Sequence, residues 1–170
     1  MTKVSVRLTG RQYRLIRDHL YPGDGKEAVV LLLAGRRAGL ERHVLCVREV
    51  VVIPHSECLE RSPDFVRWPT ERLYEQLPGV AAKNMAIVKI HSHPKGLRDF
   101  SVRDDKADTE LFESIFGWTD TTDPHASLLM LPDGELFGRA VHADGEFATL
   151  ESILVAGDDL RMWTSRDADL

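Results

Sequence analysis

Residues 85–104 read MAIVKIHSHPKGLRDFSVRD. Strand side chains alternate faces, so Ala86, Val88 and Ile90 share one side and should bury. His91 and His93 then share the other side, at the carboxyl end of the strand. Pro94 stops further pairing and bends the chain. Lys95 to Phe100 is a loop, Ser101 is well placed as a helix N-cap, and Asp104 is the third residue of the helix that follows. A strand running into a helix this way returns Asp104, eleven residues after His93, to the end of the strand. Two nitrogens and one oxygen can then converge on a metal and leave a fourth position open. That is the ligand count of a hydrolytic zinc site rather than a structural one.

Working outward, Glu27 to Ala34 (EAVVLLLA) is apolar on both faces and predicts a central, doubly buried strand. Val44 to Ile53 predicts a second long strand, with Gly35 to His43 as the hairpin and Arg36-Arg37 at its solvated tip. Upstream, Val4 to Leu8 alternates like a strand. Thr9 can cap a helix over Gly10 to Leu20 with Tyr13, Ile16 and Leu20 on one face. Tyr21 to Gly25 breaks the chain. Pro54 to Pro69 reads as a long loop, and Glu71 to Leu77 as a short helix capped by Thr70. Val102 to Phe116 has helical spacing at Ala107, Leu111 and Ile115. Ala126 to Leu131, Glu135 to His142 and a last short strand near Phe147 to Leu150 follow, separated by Pro132-Asp133-Gly134 and Asp144-Gly145 turns. This order predicts an α+β or mixed α/β fold around one central sheet. The domain is expected over residues 1–155, with 156–170 as a C-terminal tail that can lead into another domain.

The chain has 170 residues, of which 43% are apolar, enough for one domain with a real core. Its 22 basic and 27 acidic residues give a net charge of −5, which argues against a nucleic-acid partner. No apolar run approaches the roughly 18 residues needed to span a bilayer. The stretch Met1 to Leu8 is too short and polar for a signal peptide, so a cytoplasmic protein with no membrane association is expected. Cys46 and Cys58 have no metal or redox spacing, and Cys46, in a valine-rich run, is expected as a small buried hydrophobe.

A zinc ion with three protein ligands lowers the pKa of its bound water to about 7. A hydrolase also needs a group that takes the proton and returns it to a leaving amine. Glu27 is the best candidate, because it opens the apolar strand beside a glycine-rich break and should be partly desolvated. On the residues alone, Asp104 is equally a plain helix cap and Glu27 equally an idle strand-edge carboxylate. His19, His43, His55, His125 and His142 lack ligand spacing and are expected to be solvated or hydrogen-bonded.

The set Glu27, His91-x-His93-Pro94, six residues, Ser101, two residues, Asp104 resembles the JAMM motif of the JAB/MPN metallopeptidases. Glu27 to Gly35 is similar to that family's Glu-bearing first core strand, although Val30 stands near where the family often has a second glycine. The likeness covers about Val4 to Leu150. It implies a cytidine-deaminase-like α/β sandwich with a mixed sheet flanked by helices. It implies zinc held by His91, His93 and Asp104, with Glu27 as general acid/base and the Ser101 hydroxyl stabilising the oxyanion. It further implies a ubiquitin-like protein substrate, cleaved after its C-terminal glycine in processing or deconjugation. An adenylating enzyme, separate or fused, is the implied partner.

An extended tail can bind by adding to a strand edge near the metal. The loops Pro54 to Pro69 and Gly117 to His125, the latter with Trp118, are expected to wall the substrate site. Two rivals stand beside this reading. One is a non-catalytic scaffold of the same fold, against which the intact five-residue set argues. The other is a small-molecule zinc amidohydrolase of the deaminase kind, which usually brings a Cys-x-x-Cys pair that is absent here.

Overall fold

The computed structural model describes residues 2–165. It is a mixed α/β protein. A nine-stranded mixed sheet carries one helix on one face and two on the other. The strands are β1 (Lys3–Thr9), β2 (Val29–Ala38), β3 (Arg42–Val52), β6 (Ala86–Ser92), β7 (His125–Met130), β8 (Leu136–Val141), β9 (Phe147–Thr149), β10 (Ser152–Ala156) and β11 (Arg161–Thr164). Their order is β11-β10-β1-β3-β2-β6-β7-β8-β9. β4 (Glu60–Arg61) and β5 (Val66–Arg67) form a separate small hairpin. The helices are α1 (Gly10–Leu20), α2 (Glu71–Ala82) and α3 (Val102–Thr119).

β2 is the middle strand of the nine, and both its faces are covered. Val30, Leu32 and Ala34 pack with Tyr13, Ile16 and Leu20 of α1. Val29, Leu31 and Leu33 pack with Leu73, Leu77 and Val80 of α2 and with Phe112 and Ile115 of α3. The uninterrupted apolar run is thus the consequence of helices on both sides. Thr9 caps α1 through a reciprocal box: its hydroxyl accepts from the Gln12 amide, and the Gln12 side chain accepts from the Thr9 amide.

Several details differ from the sequence reading. β2 starts at Val29, so Glu27 stands just ahead of it, and the strand continues through Gly35 to Ala38. Arg36 is therefore not at a solvated tip. It is half-buried in β2 and donates to the carbonyl oxygens of Pro124 and Met85. The turn falls at residues 39–41. The stretch 54–69 contains a short 3-10 turn (His55–Glu57) and the β4–β5 hairpin. α2 runs on to Ala82 through Pro78, and Thr70 makes no side-chain cap. Cys46 is exposed, because it pairs with Gly35 in the first half of β3, where neither core reaches its face, and both cysteines are free.

The sheet also passes the boundary expected at residue 155. β10 runs parallel to β1 and ends at Ala156, and β11, which lies inside the stretch read as a tail, pairs antiparallel with β10. Residues 166–170 lie outside the described residues.

Candidate metal centre

β6 carries the histidines to the rim of the sheet. Its seven residues are all buried, and its alternation puts Ala86, Val88 and Ile90 against the α1 side. His91 points to the α2/α3 side, opposite Val29 of β2 in register. Glu27, two residues before Val29, has the same parity and comes to the same end. His93 lies just past the strand, held by its amide donating to the Met130 carbonyl oxygen at 3.0 Å. The hydroxyl of Tyr21 donates to that same oxygen at 2.6 Å. Ser92, between the two histidines, locks the neighbouring chain. Its Oγ accepts from the Ala28 amide at 3.0 Å, and its own amide donates to the Ala28 carbonyl at 3.1 Å.

α3 starts where the spacing predicts. Ser101 is its N-cap, and the hydroxyl accepts from the Asp104 amide at 3.1 Å. The Asp104 carboxylate accepts from the Ser101 amide at 2.7 Å and from the Ser101 hydroxyl at 2.8 Å. Asp104 is thus both the third residue of a capping box and a neighbour of the histidines. The two readings left open by the sequence are compatible, because different directions of one carboxylate serve them.

Ligand atoms of His91, His93 and Asp104 lie within 4.8 Å of one another. His91 Nε2 is 3.1 Å from His93 Nε2 and 3.1 Å from Asp104 Oδ1. His93 Nε2 is 3.4 Å from Asp104 Oδ2 and 4.0 Å from Glu27 Oε1. His93 Nδ1 lies 2.8 Å from the Leu97 carbonyl oxygen, to which it donates as Nδ1–H, leaving the Nε2 lone pair facing the cluster. Lone pairs and a carboxylate this close repel unless a positive charge sits among them. The donor set therefore fits a metal ion: all three residues can hold one.

The electrostatics follow from burial and proximity. Burial pushes Glu27 up to about 7, with His93 drawing it down and Asp104 raising it. Burial pulls His91 down to about 4, against the hydrogen bond to Asp104. Burial also works against the ionised Asp104, but in the metal-free protein protonated His91 and His93 rings, which donate where neutral rings would present lone pairs, hold its carboxyl far below the usual carboxylate range.

Glu27, His93 and Ser101 line one cleft of about 600 Å³. Its walls are Pro63, Asp64 and Phe65 from the 54–69 stretch and Lys95, Leu97 and Phe100 from the loop after β6. Glu27 is clamped to the first wall: its amide donates to the Ser62 carbonyl at 2.8 Å, and Arg61 Nε donates to the Glu27 carbonyl at 2.8 Å. The expected second wall, Gly117 to His125, is not part of this cleft. Residues 117–119 end α3, which begins at the site and runs 18 residues away from it. Trp118 is exposed there.

Sequence reading passed over a charged group behind the histidines. Lys89 and Asp108 form a buried ion pair at 2.5 Å, and Arg139 reaches Asp108 at 2.7 Å. The signal was present: Lys89 interrupts an apolar strand two residues before His91, and Asp108 lies one helical turn after Asp104. Among the other histidines, His125 is buried and its Nδ1 accepts from the Ile87 amide at 2.9 Å. His43 Nε2 lies 3.4 Å from Arg36 Nη1. His19 and His55 stack at 4.3 Å between centroids.

No family model matches the chain, and no curated protein matches it. Among solved structures, the fold is similar to the solution structure of protein DSY2949 from Desulfitobacterium hafniense, a structural-genomics target. That likeness covers 90% of this chain and 94% of the other, with a TM-score of 0.58 and 18% identity. At that identity it speaks to the fold alone.

Proposed function

We propose that this protein is a zinc-dependent peptidase or isopeptidase of the JAB/MPN kind, with the deaminase-like sandwich that the family carries. Its proposed substrate is a ubiquitin-like protein, cut after the C-terminal glycine. The observation that carries the reading is the meeting of His91, His93 and Asp104 within 4.8 Å, with the Glu27 carboxylate 4.0 Å from His93. A scattered set would hold no metal, and a convergent set without an acid beside it would support metal binding but not hydrolysis.

His91, His93 and Asp104 would hold the zinc. When bound, zinc supplies Lewis acidity, bringing the ionisation of a coordinated water to about pH 7. Glu27 takes a proton from the attacking water and passes it to the leaving amine. A carboxyl raised by burial to about 7 is matched to both halves of that task at neutral pH. Ser101 stabilises the oxyanion. Its hydroxyl has one proton and two lone pairs, so it can turn the proton from Asp104 into the cleft while a lone pair still accepts from the Asp104 amide. An extended glycine-ending tail suits a cleft walled by Phe65, Leu97 and Phe100. An adenylating enzyme that activates the same ubiquitin-like protein is the proposed functional partner, in the cytoplasm. No helix among the described residues is long and apolar enough to cross a membrane.

The test is incubation of the zinc-loaded protein with ubiquitin-like fusions and conjugates, read by mass spectrometry. The expected product is a mature tail ending in glycine. A protein that takes up no zinc, or that hydrolyses small amides and never a protein tail, would overturn the reading. A metal-free protein that only binds a partner would mark a scaffold instead.

A further inference from the structure

β6 and α3 meet along two rungs. The first is His91 with Asp104, at 3.1 Å. The second is Lys89 with Asp108, at 2.5 Å, with side chains 7% and 0% exposed. The spacing of the rungs follows from backbone geometry. Two residues along a strand advance about 6.6 Å, and four residues along a helix advance about 6.0 Å. A strand and a helix crossing at this site can therefore match i, i+2 on one to i, i+4 on the other.

Arg139 of β8 completes the arrangement. Its Nη2 donates to Asp108 Oδ2 at 2.7 Å, and its Nη1 donates to Asp105 Oδ1 at 2.5 Å. The guanidinium lies between two aromatic rings, 3.8 Å from the centroid of Phe100 and 3.8 Å from that of Phe147. Phe100 in turn meets the His91 ring edge-on, at 6.3 Å between centroids. The first two turns of α3 and the residue preceding its cap are thus tied to the sheet by directional contacts.

Two cations and two carboxylates balance in this cluster. An apolar set of similar volume would avoid the desolvation of buried ions. What apolar packing lacks is direction, since burial rewards area and not register. We propose that Lys89, Asp108 and Arg139 are positioning residues that set the register of α3 on β6 and so the meeting of Asp104 with His91. This rests on the reading of His91, His93 and Asp104 as a metal centre. The three residues touch neither the metal nor the substrate. They act by holding two ligands on different elements at one distance, and a loosened partner shell typically weakens metal affinity ten- to a hundredfold.

The experiment measures zinc affinity by chelator competition and the thermal midpoint of the metal-free protein, side by side. Lys89→Met leaves Asp108 paired with Arg139, which keeps the fold. Lys89→Met with Asp108→Leu removes both partners and leaves Arg139 with Asp105. Expected is zinc binding weaker by about ten- to a hundredfold in both variants, with the double variant's metal-free midpoint at or above that of Lys89→Met alone. Zinc held as tightly as in the wild type by either folded variant would overturn the proposal, even if the midpoint falls, because that is the signature of a purely structural pair. A wild-type protein that binds no zinc would instead sink the metal reading beneath it.

Discussion

Glu27 carries the largest single demand at the residue scale. It holds no ligand position, yet its carboxyl is buried and raised to about 7 beside His93. Glu27→Gln keeps the shape and removes the titrating proton. We expect zinc content near that of the wild type and turnover lower by at least a factor of about 100. His91→Ala should lose the metal together with the activity, and metal analysis of the two variants separates the roles. Normal turnover in Glu27→Gln would remove that residue from the chemistry. Ser101 has two tasks that substitution can divide. Ser101→Ala removes the acceptor for the Asp104 amide, which should cost about 1 kcal/mol of stability, and also the hydroxyl donor. Ser101→Asn retains a capping side chain and should melt near the wild type. Both should lower turnover about a hundredfold if the hydroxyl serves the oxyanion. Two variants with equal activity loss but unequal stability would be the expected pattern in paired melts and assays. His91, His93, Ser101 and Asp104 were legible because their spacing is local, and Glu27, far upstream, because it opens an apolar strand. Lys89 was not read, because its meaning depends on a helix 19 residues away in sequence.

At the scale of elements, α3 shows where periodicity misleads. The spacing of Ala107, Leu111 and Ile115 predicts the buried face, whereas the helix buries Asp108, Phe112 and Ile115 and exposes Ala107. The face is rotated because Asp108 is drawn inward by Lys89 and Arg139, and no hydrophobic count includes a buried aspartate. The far end of the same helix offers a stability test. Asp120 ends α3 in the left-handed region at φ 48°, and an exposed carboxylate there also meets the negative end of the helix dipole. Asp120→Gly relieves both and should raise stability by about 1 kcal/mol, measured by denaturant unfolding. A variant less stable than the wild type would mean that the Asp120 side chain contributes more than its backbone strain costs.

For the whole molecule, acid sensitivity and the closing of the sheet are the two properties that no single element sets. Burial, aided by Arg36 and His43, holds His125 down to about 3. An unfolded histidine takes up a proton below about 6.5. Between those values the unfolded chain binds the extra proton, so the contribution to stability is full above pH 6.5 and declines as the pH falls through the window. His19, His43 and His91 are held below their ordinary value as well. Glu27 and His93, whose values are raised, work in the opposite direction, but the four depressed histidines outnumber them, so the metal-free protein should show a net loss of stability from about pH 6.5 to pH 4. His125→Gln, which retains an acceptor for the Ile87 amide, should flatten that slope by about one proton, or ~1.4 kcal/mol per pH unit. An unchanged slope would show that His125 titrates normally. The sheet's second dependence is on β10, which lies beside β1 and buries Ile153 and Val155 in the core on the α1 side. A chain cut after Leu150 should give no cooperative melt in a thermal scan. Cooperative unfolding of the shorter chain would show β10 and β11 to be dispensable.

Alternation and helical spacing are properties of neighbouring residues, so the sequence by itself determined the central strand, the histidine strand, the caps at Thr9 and Ser101, and which residues could reach one site. Pairing between distant segments depends on free energies that no local window contains. Only the tertiary structure decided that Cys46 faces outward, that Arg36 turns inward, and that β10 lies beside β1. It also decided that the loop after β6, and not the end of α3, walls the cleft, and that Lys89 and Asp108 sit behind the histidines. In each of these cases the side chain's surroundings are supplied by elements far away along the chain.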